Sequence, residues 1–406
     1  MLKLYKFLSY IIVPFILVNL FLRLINNKED KKRYKERLGN TNYNLKLFKK
    51  VIWIHAASVG EFKSCNLIIE KYYKNFQILV TTTTKSSAEY INKYYYNKVT
   101  HQFIPYDVPL WCSRFLYYWK PSLILWIESD IWPNMLKIIR DNEIKCFYIN
   151  ARISPRSFNK WKNLKKLYSI SLSTFSKIYA QSPNDLERIK ILSNIDVKYI
   201  GNLKLSNNLQ NKIYQNKEKQ FSIMLASTHE TEEEKIIKNL KQIIKKNQLK
   251  LCIAPRHPER VEHISNILIE NNFSYSLDSK KKKINDDVII IDSFGKLDEY
   301  SNNSEIVILG GSFISRGGHN PIEPAKHGCA IISGIHIYNW QNIYDEMLKN
   351  EACIILDNID NLRHIITKFT SNKVLLENSK KKALDFSNKK FFDNEKLFDE
   401  INLVLN

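Results

Sequence analysis

Residues 51–82 read VIWIHAASVGEFKSCNLIIEKYYKNFQILVTT. Two β-rich runs, 51–55 and 77–82, flank a helix-length segment at 62–74. Parallel strands need a crossover of a dozen or more residues, usually a helix, and this spacing supplies one. The same alternation spreads outward. Strands are expected at 100–104, 122–127, 145–149, 176–180 and 197–201, with helices at 85–96, 131–141 and 184–193. A polar stretch at 206–220 (SNNLQNKIYQNKEKQ) interrupts the pattern and reads as a linker. The pattern then restarts, with strands expected at 222–226, 249–254, 287–291, 306–309, 330–333 and 352–356. The fold class is therefore α/β, with two units at 28–205 and 221–360 built on parallel sheets around a cleft. An apolar segment at 1–27 precedes them and a helical tail at 361–406 follows. Ligands of such sheets bind beyond the carboxyl ends of the strands, so the loops there are where function is sought.

The chain has 406 residues, 62 Lys+Arg against 41 Asp+Glu, and a formal charge of +21. With 44% hydrophobic and 25% charged residues it is globular, which excludes a disordered chain, a collagen or a disulfide mini-protein. Its negative mean hydropathy excludes a polytopic membrane protein. The charge points to an anionic partner: nucleic acid, a membrane surface or phosphorylated substrates. Part of the Lys excess reads as nucleotide bias, since Lys, Asn and Ile are abundant and only 10 glycines occur. The six cysteines (Cys65, Cys112, Cys146, Cys252, Cys329 and Cys353) are scattered without C-x-x-C spacing. They read as buried free thiols, and no structural zinc is expected.

Residues 7–26 (FLSYIIVPFILVNLFLRLIN) are nearly all apolar, about the 20 residues a spanning helix needs. Lys28, Lys31, Lys32, Arg33, Lys35 and Arg37 follow, which places the bulk of the chain on the cytoplasmic side. There is no small-residue cleavage site, so the segment reads as a single spanning or monotopic anchor. The bland alternative is a hydrophobic helix docked on the protein itself.

Four motifs fall at strand ends in the first unit. His55-Ala56-Ala57-Ser58-Val59-Gly60-Glu61 puts a carboxylate at a helix start, either as a general base or as a charge favoured by the helix dipole. Trp126-Ile127-Glu128-Ser129-Asp130-Ile131-Trp132-Pro133-Asn134 carries two carboxylates, of which capping by Ser129 or Asp130 explains one. Asn150-Ala151-Arg152-Ile153-Ser154 and Gly201-Asn202-Leu203-Lys204 each bring a cation near the expected cleft. The second unit adds Ser227-Thr228-His229-Glu230, Pro255-Arg256-His257-Pro258-Glu259-Arg260 and Asp292-Ser293-Phe294-Gly295-Lys296. Gly310-Gly311-Ser312 then leads to Gly317-Gly318-His319-Asn320-Pro321-Ile322-Glu323-Pro324. A Gly-rich turn opening a helix binds anions, with Asn320 as cap and Pro321 in the first turn. Arg256 suits a phosphate and Glu323 suits ribose hydroxyls. Neither G-x-x-x-x-G-K-[ST] nor G-x-G-x-x-G is present, which disfavours P-loop and dinucleotide sites. His101, His263 and His364 read as ordinary surface or packing residues. For His229, His257 and His319, orienting a loop and touching a ligand are equally open.

Taken in order, HAASVGE, ESDIWPN, NARIS, GNLK, STHE, PRHPER and GGSFISRGGHNPIEP resemble the 3-deoxy-D-manno-octulosonic acid (Kdo) transferases of lipopolysaccharide biosynthesis, over almost the whole chain. The resemblance implies a GT-B fold of two Rossmann-like domains, the first binding acceptor and the second CMP-Kdo. It implies inverting transfer of Kdo from CMP-β-Kdo to the lipid A precursor lipid IVA, at the cytoplasmic face of the cell inner membrane. Glu61 matches the family's proton acceptor; Glu128 and Lys204 match its transition-state stabilisers. Pro255 and Arg256, then Phe294, Gly295 and Lys296, then Asn320, Pro321, Ile322 and Glu323 match its CMP-binding segments. Lys296, Thr231 and Asp130 depart from the family's usual Glu, Gly and Glu, which leaves Glu128 as the better carboxylate. Arg256, Lys204 and the helix start at Asn320 would stabilise the leaving CMP, so no metal or other cofactor is expected. A UDP-sugar transferase or epimerase of the same fold is the competing enzyme reading. A membrane-anchored module that kept the fold but lost catalysis is disfavoured by the intact Glu61, Glu128, Lys204 and Arg256. The implied partners are CMP-Kdo, the lipid acceptor and the anionic membrane surface; no motif supports nucleic acid.

Overall fold

The computed structural model describes residues 1–41, 43, 49–128, 130–204, 219–280, 286–389 and 392–405. The expected linker, apart from Lys219 and Gln220, lies outside them, as does Ser129. The chain divides into two compact units, Met1–Asn207 with Lys390–Asn406, and Asn208–Lys389.

The first unit is a seven-stranded parallel sheet of β1 (Val51–His55), β2 (Gln77–Thr82), β3 (Val99–Phe103), β4 (Leu123–Ile127), β5 (Cys146–Ala151), β6 (Lys177–Ala180) and β7 (Lys198–Tyr199), ordered β3-β2-β1-β4-β5-β6-β7. Successive strand side chains point to opposite faces. Along β1, Val51 and Trp53 enter one core with Trp119, Trp126 and Tyr148, while Ile52 and Ile54 enter the other with Phe62, Leu125 and Ile149. Both faces are thus buried, which is why these strands are continuous apolar runs rather than alternating ones. The helix expected at 62–74 starts earlier, at Val59, and breaks at Cys65 into Val59–Ser64 and Asn66–Tyr72.

One expectation for the chain ends is corrected. Residues 361–406 do not form one tail. Helices Asn361–Ser371 and Lys373–Ser387 belong to the second unit, whereas helix Asn394–Leu405 buries Leu397, Ile401 and Leu405 in the first unit's core. Residues 1–27 form two helices, Leu2–Ile11 and Val13–Ile25, bent by 53°. No single described helix is long and apolar enough to cross a membrane. The first helix docks on the unit through Tyr5, whose hydroxyl donates to Asp107 Oδ2 at 2.9 Å, and Ser9, which accepts from Asn134 Nδ2 at 3.1 Å. Phe7, Phe15, Val18, Phe21 and Ile25 stay exposed. Two of the six cations that follow this segment in the sequence are internal. Arg37 bonds Glu29 at 3.1 Å and the Thr83 carbonyl at 2.6 Å, and Arg33 pairs with Glu36 at 2.9 Å.

The second unit is a second parallel sheet, β8 (Phe221–Thr228), β9 (Leu251–Pro255), β10 (Tyr275–Leu277), β11 (Val288–Ile290), β12 (Ser304–Leu309), β13 (Ala330–Gly334) and β14 (Ile354–Leu356), ordered β10-β11-β9-β8-β12-β13-β14. The half-buried, three-residue edge strand β10 carries no apolar run and is not visible in the sequence pattern. Helix Glu232–Asn247 packs Ile236, Ile237, Leu240 and Ile244 onto the core. In each sheet the strand order reverses at a central pair, β1/β4 in the first and β8/β12 in the second, and in the second β11 also inserts between β9 and the edge strand β10. Such switch points leave a crevice at the carboxyl ends. All six cysteines are buried and free.

Candidate active site

Glu61 and Glu128 stand on either side of the first sheet's switch point. Glu61 follows β1 in helix Val59–Ser64, which Ser58 caps by accepting from the Glu61 N–H at 3.3 Å. The Glu61 carboxylate reaches back and accepts from the Ala57 N–H at 2.6 Å. This is a capping-box arrangement shifted by one residue, and it fixes the carboxylate over the strand end. Glu61 is 9% exposed. Burial, then the charges of Glu128 and Asp130, push its carboxyl up to about 7, against the opposing pull of the Ala57 N–H and Lys204. A carboxylate poised near neutrality is the form a general base takes.

Glu128 is the first residue past β4 and is almost fully buried in a left-handed conformation, φ 65°. Its Oε1 accepts from Lys204 Nζ at 2.7 Å and from Asn150 Nδ2 at 3.3 Å. Asn150, also left-handed at φ 57°, uses its Oδ1 to accept the Leu203 N–H at 3.0 Å. One asparagine side chain thus ties the strand-end carboxylate to the loop that carries Lys204. Sequence reasoning looked past Asn150 to the cation two residues on. Arg152 instead acts on Asp185, whose carboxyl burial raises and whose neighbours, Arg152 among them, pull back.

Asp130 is not a helix cap. The helix starts at Pro133, and its first N–H groups are taken by Asp107 from another loop, Asn134 at 3.1 Å and Met135 at 2.8 Å. Asp130 lies 3.9 Å from His55 Nε2, too far for a direct bond. Burial raises its carboxyl, but His55 and Trp132 outweigh burial and leave it below the usual range. Asp130 therefore stays ionised beside Glu61. His55 is fully buried, its ring tilted 48° against Trp126, with Nδ1 3.0 Å from Thr81 Oγ1.

In the second unit the hub is Glu232. Its carboxylate accepts from His229 N at 2.9 Å, Gly311 N at 2.7 Å and Phe313 N at 3.1 Å, joining the β8 and β12 loops. The next residue, Glu233, grips Arg260 through two bonds of 2.6 and 3.0 Å. The acidic run at 232–234 is thus structural at its first two members. Thr231 holds φ 74°, a region costly for a β-branched residue. Glycine, which the resemblance implies at this position, holds that φ without strain.

The expected donor-binding residues are placed as follows. Pro255 closes β9 and is buried; Arg256 is exposed just beyond it, its N–H bonded to the Thr228 carbonyl at 2.9 Å. Asn320 accepts the Ile322 N–H at 3.0 Å, Ile322 is buried, and Glu323 is exposed. The helix after Pro321 is shorter than the motif implied: it is a single turn, Ile322–Ala325, whose cap position is Pro321 and not Asn320. One turn carries little dipole, so charge there falls to side chains and loop N–H groups. Gly317 and Gly318 both hold positive φ, and a Cβ at Gly317 would sit 2.3 Å from Asn339. Phe294-Gly295 is an exposed turn, and Lys296 faces Asp278 at 3.5 Å and Glu299 at 3.3 Å, which neutralise it locally.

The family model for 3-deoxy-D-manno-octulosonic-acid transferase (kdotransferase) matches residues 32–207. The chain is 33% identical over 420 residues to a 3-deoxy-D-manno-octulosonic acid transferase of Rickettsia bellii, covering 98% of each. It is 28% identical over 366 residues to the enzyme of that name from Haemophilus influenzae, covering 86% of each. Among solved structures, a UDP-GlcNAc 2-epimerase from Neisseria meningitidis shares the fold, with a TM-score of 0.58 over 87% of this chain and 99% of that one, at 13% identity.

Proposed function

The chain belongs to the 3-deoxy-D-manno-octulosonic acid (Kdo) transferase family, and on that premise we propose that it moves Kdo from CMP-β-Kdo to a hydroxyl of the lipid A precursor lipid IVA, with Glu61 as general base. The family makes it a glycosyltransferase of the GT-B fold acting in lipopolysaccharide biosynthesis. The observation that carries the catalytic reading is the buried Glu61 carboxylate at the β1 strand end, raised toward neutrality by burial and two neighbouring carboxylates.

The acceptor hydroxyl is a weak nucleophile, and Glu61 takes its proton as the new bond forms. Positive charge develops at the anomeric carbon, and the nearby negative charge of Asp130 and Glu128 favours it. Lys204, engaged with Glu128, sets how much of that charge Glu61 feels. The leaving CMP is assigned to Arg256 and the loop around Asn320–Glu323. The reading gives this charge to protein groups and includes no metal.

Donor choice separates this reading from the UDP-sugar alternative. CMP is expected to raise the melting temperature of the protein by several degrees at millimolar concentration, and UDP by far less. An equal or larger shift with UDP overturns the CMP reading. We also assign the exposed apolar face of the two N-terminal helices to the anionic inner membrane, with Lys28, Lys31, Lys32 and Lys35 toward its headgroups. Sedimentation with phosphatidylglycerol-containing vesicles is expected to carry the protein down, and Phe15→Glu with Phe21→Glu to release most of it. Unchanged binding by that double variant contradicts the assignment.

A further inference from the structure

Two histidines meet head to head at the second sheet's switch point. His229 follows β8, and His319 ends the glycine loop after β12. Their Nε2 atoms are 3.3 Å apart, their ring centroids 5.5 Å, and their planes differ by 5°. The centroid separation exceeds the Nε2 separation by about one ring diameter. The rings therefore lie end to end in nearly one plane, not face to face. Two in-plane lone pairs set tip to tip repel, and so do two N–H groups, so one proton lies between them.

The Ser227 backbone favours protonation of His319. With Nε2 turned to His229, that preference falls on Nδ1, so the arrangement favours N–H at Nδ1 of His319 with its Nε2 as acceptor. Ser227 sits at φ 57°, where the β8/β9 register shifts between Ala226 and Thr228. His229 is then the donor through Nε2–H, and its Nδ1 holds a lone pair. Among the described residues, no protein group bonds that atom. Gly311 covers the junction: a Cβ there would come 3.3 Å from both Nε2 atoms.

The groups that face His229 come from three neighbouring elements. Arg256 and His257 belong to the loop after β9, Arg316 to the loop after β12, and Glu233 to helix Glu232–Asn247. Burial and then these cations hold the His229 imidazolium form down, with Glu233 opposing, and burial, His229 and Arg256 hold His319 down to about 4. In the free protein the pair is neutral and surrounded by positive charge. An arriving phosphate offsets that charge and adds an attraction for the protonated form of His229, which opposes the effect of burial.

We propose that His229 is the acid of the donor site, oriented by His319, taking a proton at Nδ1 when the donor phosphate binds and passing it to that phosphate as the sugar leaves. The inference rests on the CMP-Kdo reading. The bond between the anomeric carbon and the phosphate oxygen breaks, and its electron pair goes to that oxygen. The acceptor oxygen bonds the anomeric carbon and its proton goes to Glu61. The Nδ1 proton of His229 goes to the phosphate, so CMP departs singly protonated. Solvent then takes the proton from Glu61, and His229 is left neutral, as in the free protein, until the next donor binds. A phosphate monoester titrates near pH 6 and an imidazole near 6.5, so the transfer is close to balanced (values approximate). His319 is a positioning residue.

Imidazole ¹⁵N shifts of the full chain, with and without CMP at pH 7, test this directly. The free protein is expected to show His229 as the Nε2–H form and His319 as the Nδ1–H form. CMP is expected to protonate Nδ1 of His229. In His319→Gln, the free His229 is expected to lose its fixed tautomer. Reversed tautomers overturn the proposal, and so does a His229 signal that stays put while CMP shifts other residues of the second unit. If CMP shifts nothing, the donor reading has failed and takes this inference with it. Kinetics supply the second arm. His229→Gln keeps a donor toward His319 but has no Nδ1. It is expected to bind CMP within about threefold of wild type, lose about 10²-fold in kcat and lose the alkaline limb of the pH profile. Wild-type kcat with that limb intact overturns the acid role alone.

Discussion

Glu61→Gln is expected to lower Kdo transfer by about 10²–10⁴-fold and to leave CMP binding intact. Glutamine keeps the shape and one oxygen for the Ala57 N–H, so the helix start survives. What it loses is the ability to take a proton. The wild-type rate is expected to rise with pH through about 7, because the active form is the ionised one. Glu61 also stores a stability cost. Its folded value lies above the usual carboxylate value, so the folded state binds the proton more tightly than the unfolded chain does. Stability is therefore lost as pH rises from about 4.5 to about 7, and Gln removes that loss. At pH 8 the variant is expected to melt no lower than wild type, an exchange of activity for stability. A variant that turns over normally, or one that melts several degrees lower with its activity loss, contradicts the assignment.

Lys204→Met has the second largest effect, and it is read in two ways. Removing the ammonium leaves the buried Glu128 with Asn150 and no counter-charge. Breaking a buried pair from one side costs about 3–5 kcal/mol. Because the Lys204 side chain is 21% exposed, about 2–3 kcal/mol is the expected loss here. Lys204 also helps hold the Glu61 carboxyl down. Without it the acidic limb of the pH–rate profile moves to higher pH and transfer at pH 7 falls by about 10²-fold. The double replacement Lys204→Met with Glu128→Leu is expected to recover most of the stability and none of the activity. A profile with its limb unmoved would show that Lys204 acts elsewhere.

Strand positions were legible where both sheet faces are buried, because such strands are unbroken apolar runs. The expected limits of β1 and β2 are those observed, 51–55 and 77–82. They were illegible where a strand is short and half exposed, as in β10 and in the two-residue β7. The division of the C-terminal helices was hidden for a different reason. The apolar spacing of Leu397, Ile401 and Leu405 announces a buried face but not which core receives it.

The site was legible at the level of motifs and not of bonds. The ordered motifs supplied Glu61, Glu128 and Lys204, and the fold brings these three together although 76 residues separate the last two. No spacing rule reveals that Asn150 joins them, or that Asp107 caps the helix at Pro133 and so frees Asp130. Those are contacts between strand ends remote in sequence, fixed by strand order. The +21 charge narrows in the same way. Arg33, Arg37 and Arg260 are internal to ion pairs, and Lys296 is neutralised by Asp278 and Glu299. Only the remainder is available to phosphates and lipid.

The central claim is that this chain transfers Kdo with Glu61 as its base. The most direct test incubates the wild-type and Glu61→Gln proteins, matched for CMP binding, with CMP-Kdo and tetraacylated lipid A precursor, and reads product masses. Precursor bearing added Kdo is expected with wild type and almost none with Glu61→Gln. Unmodified precursor with wild type, or equal product from both proteins, contradicts it.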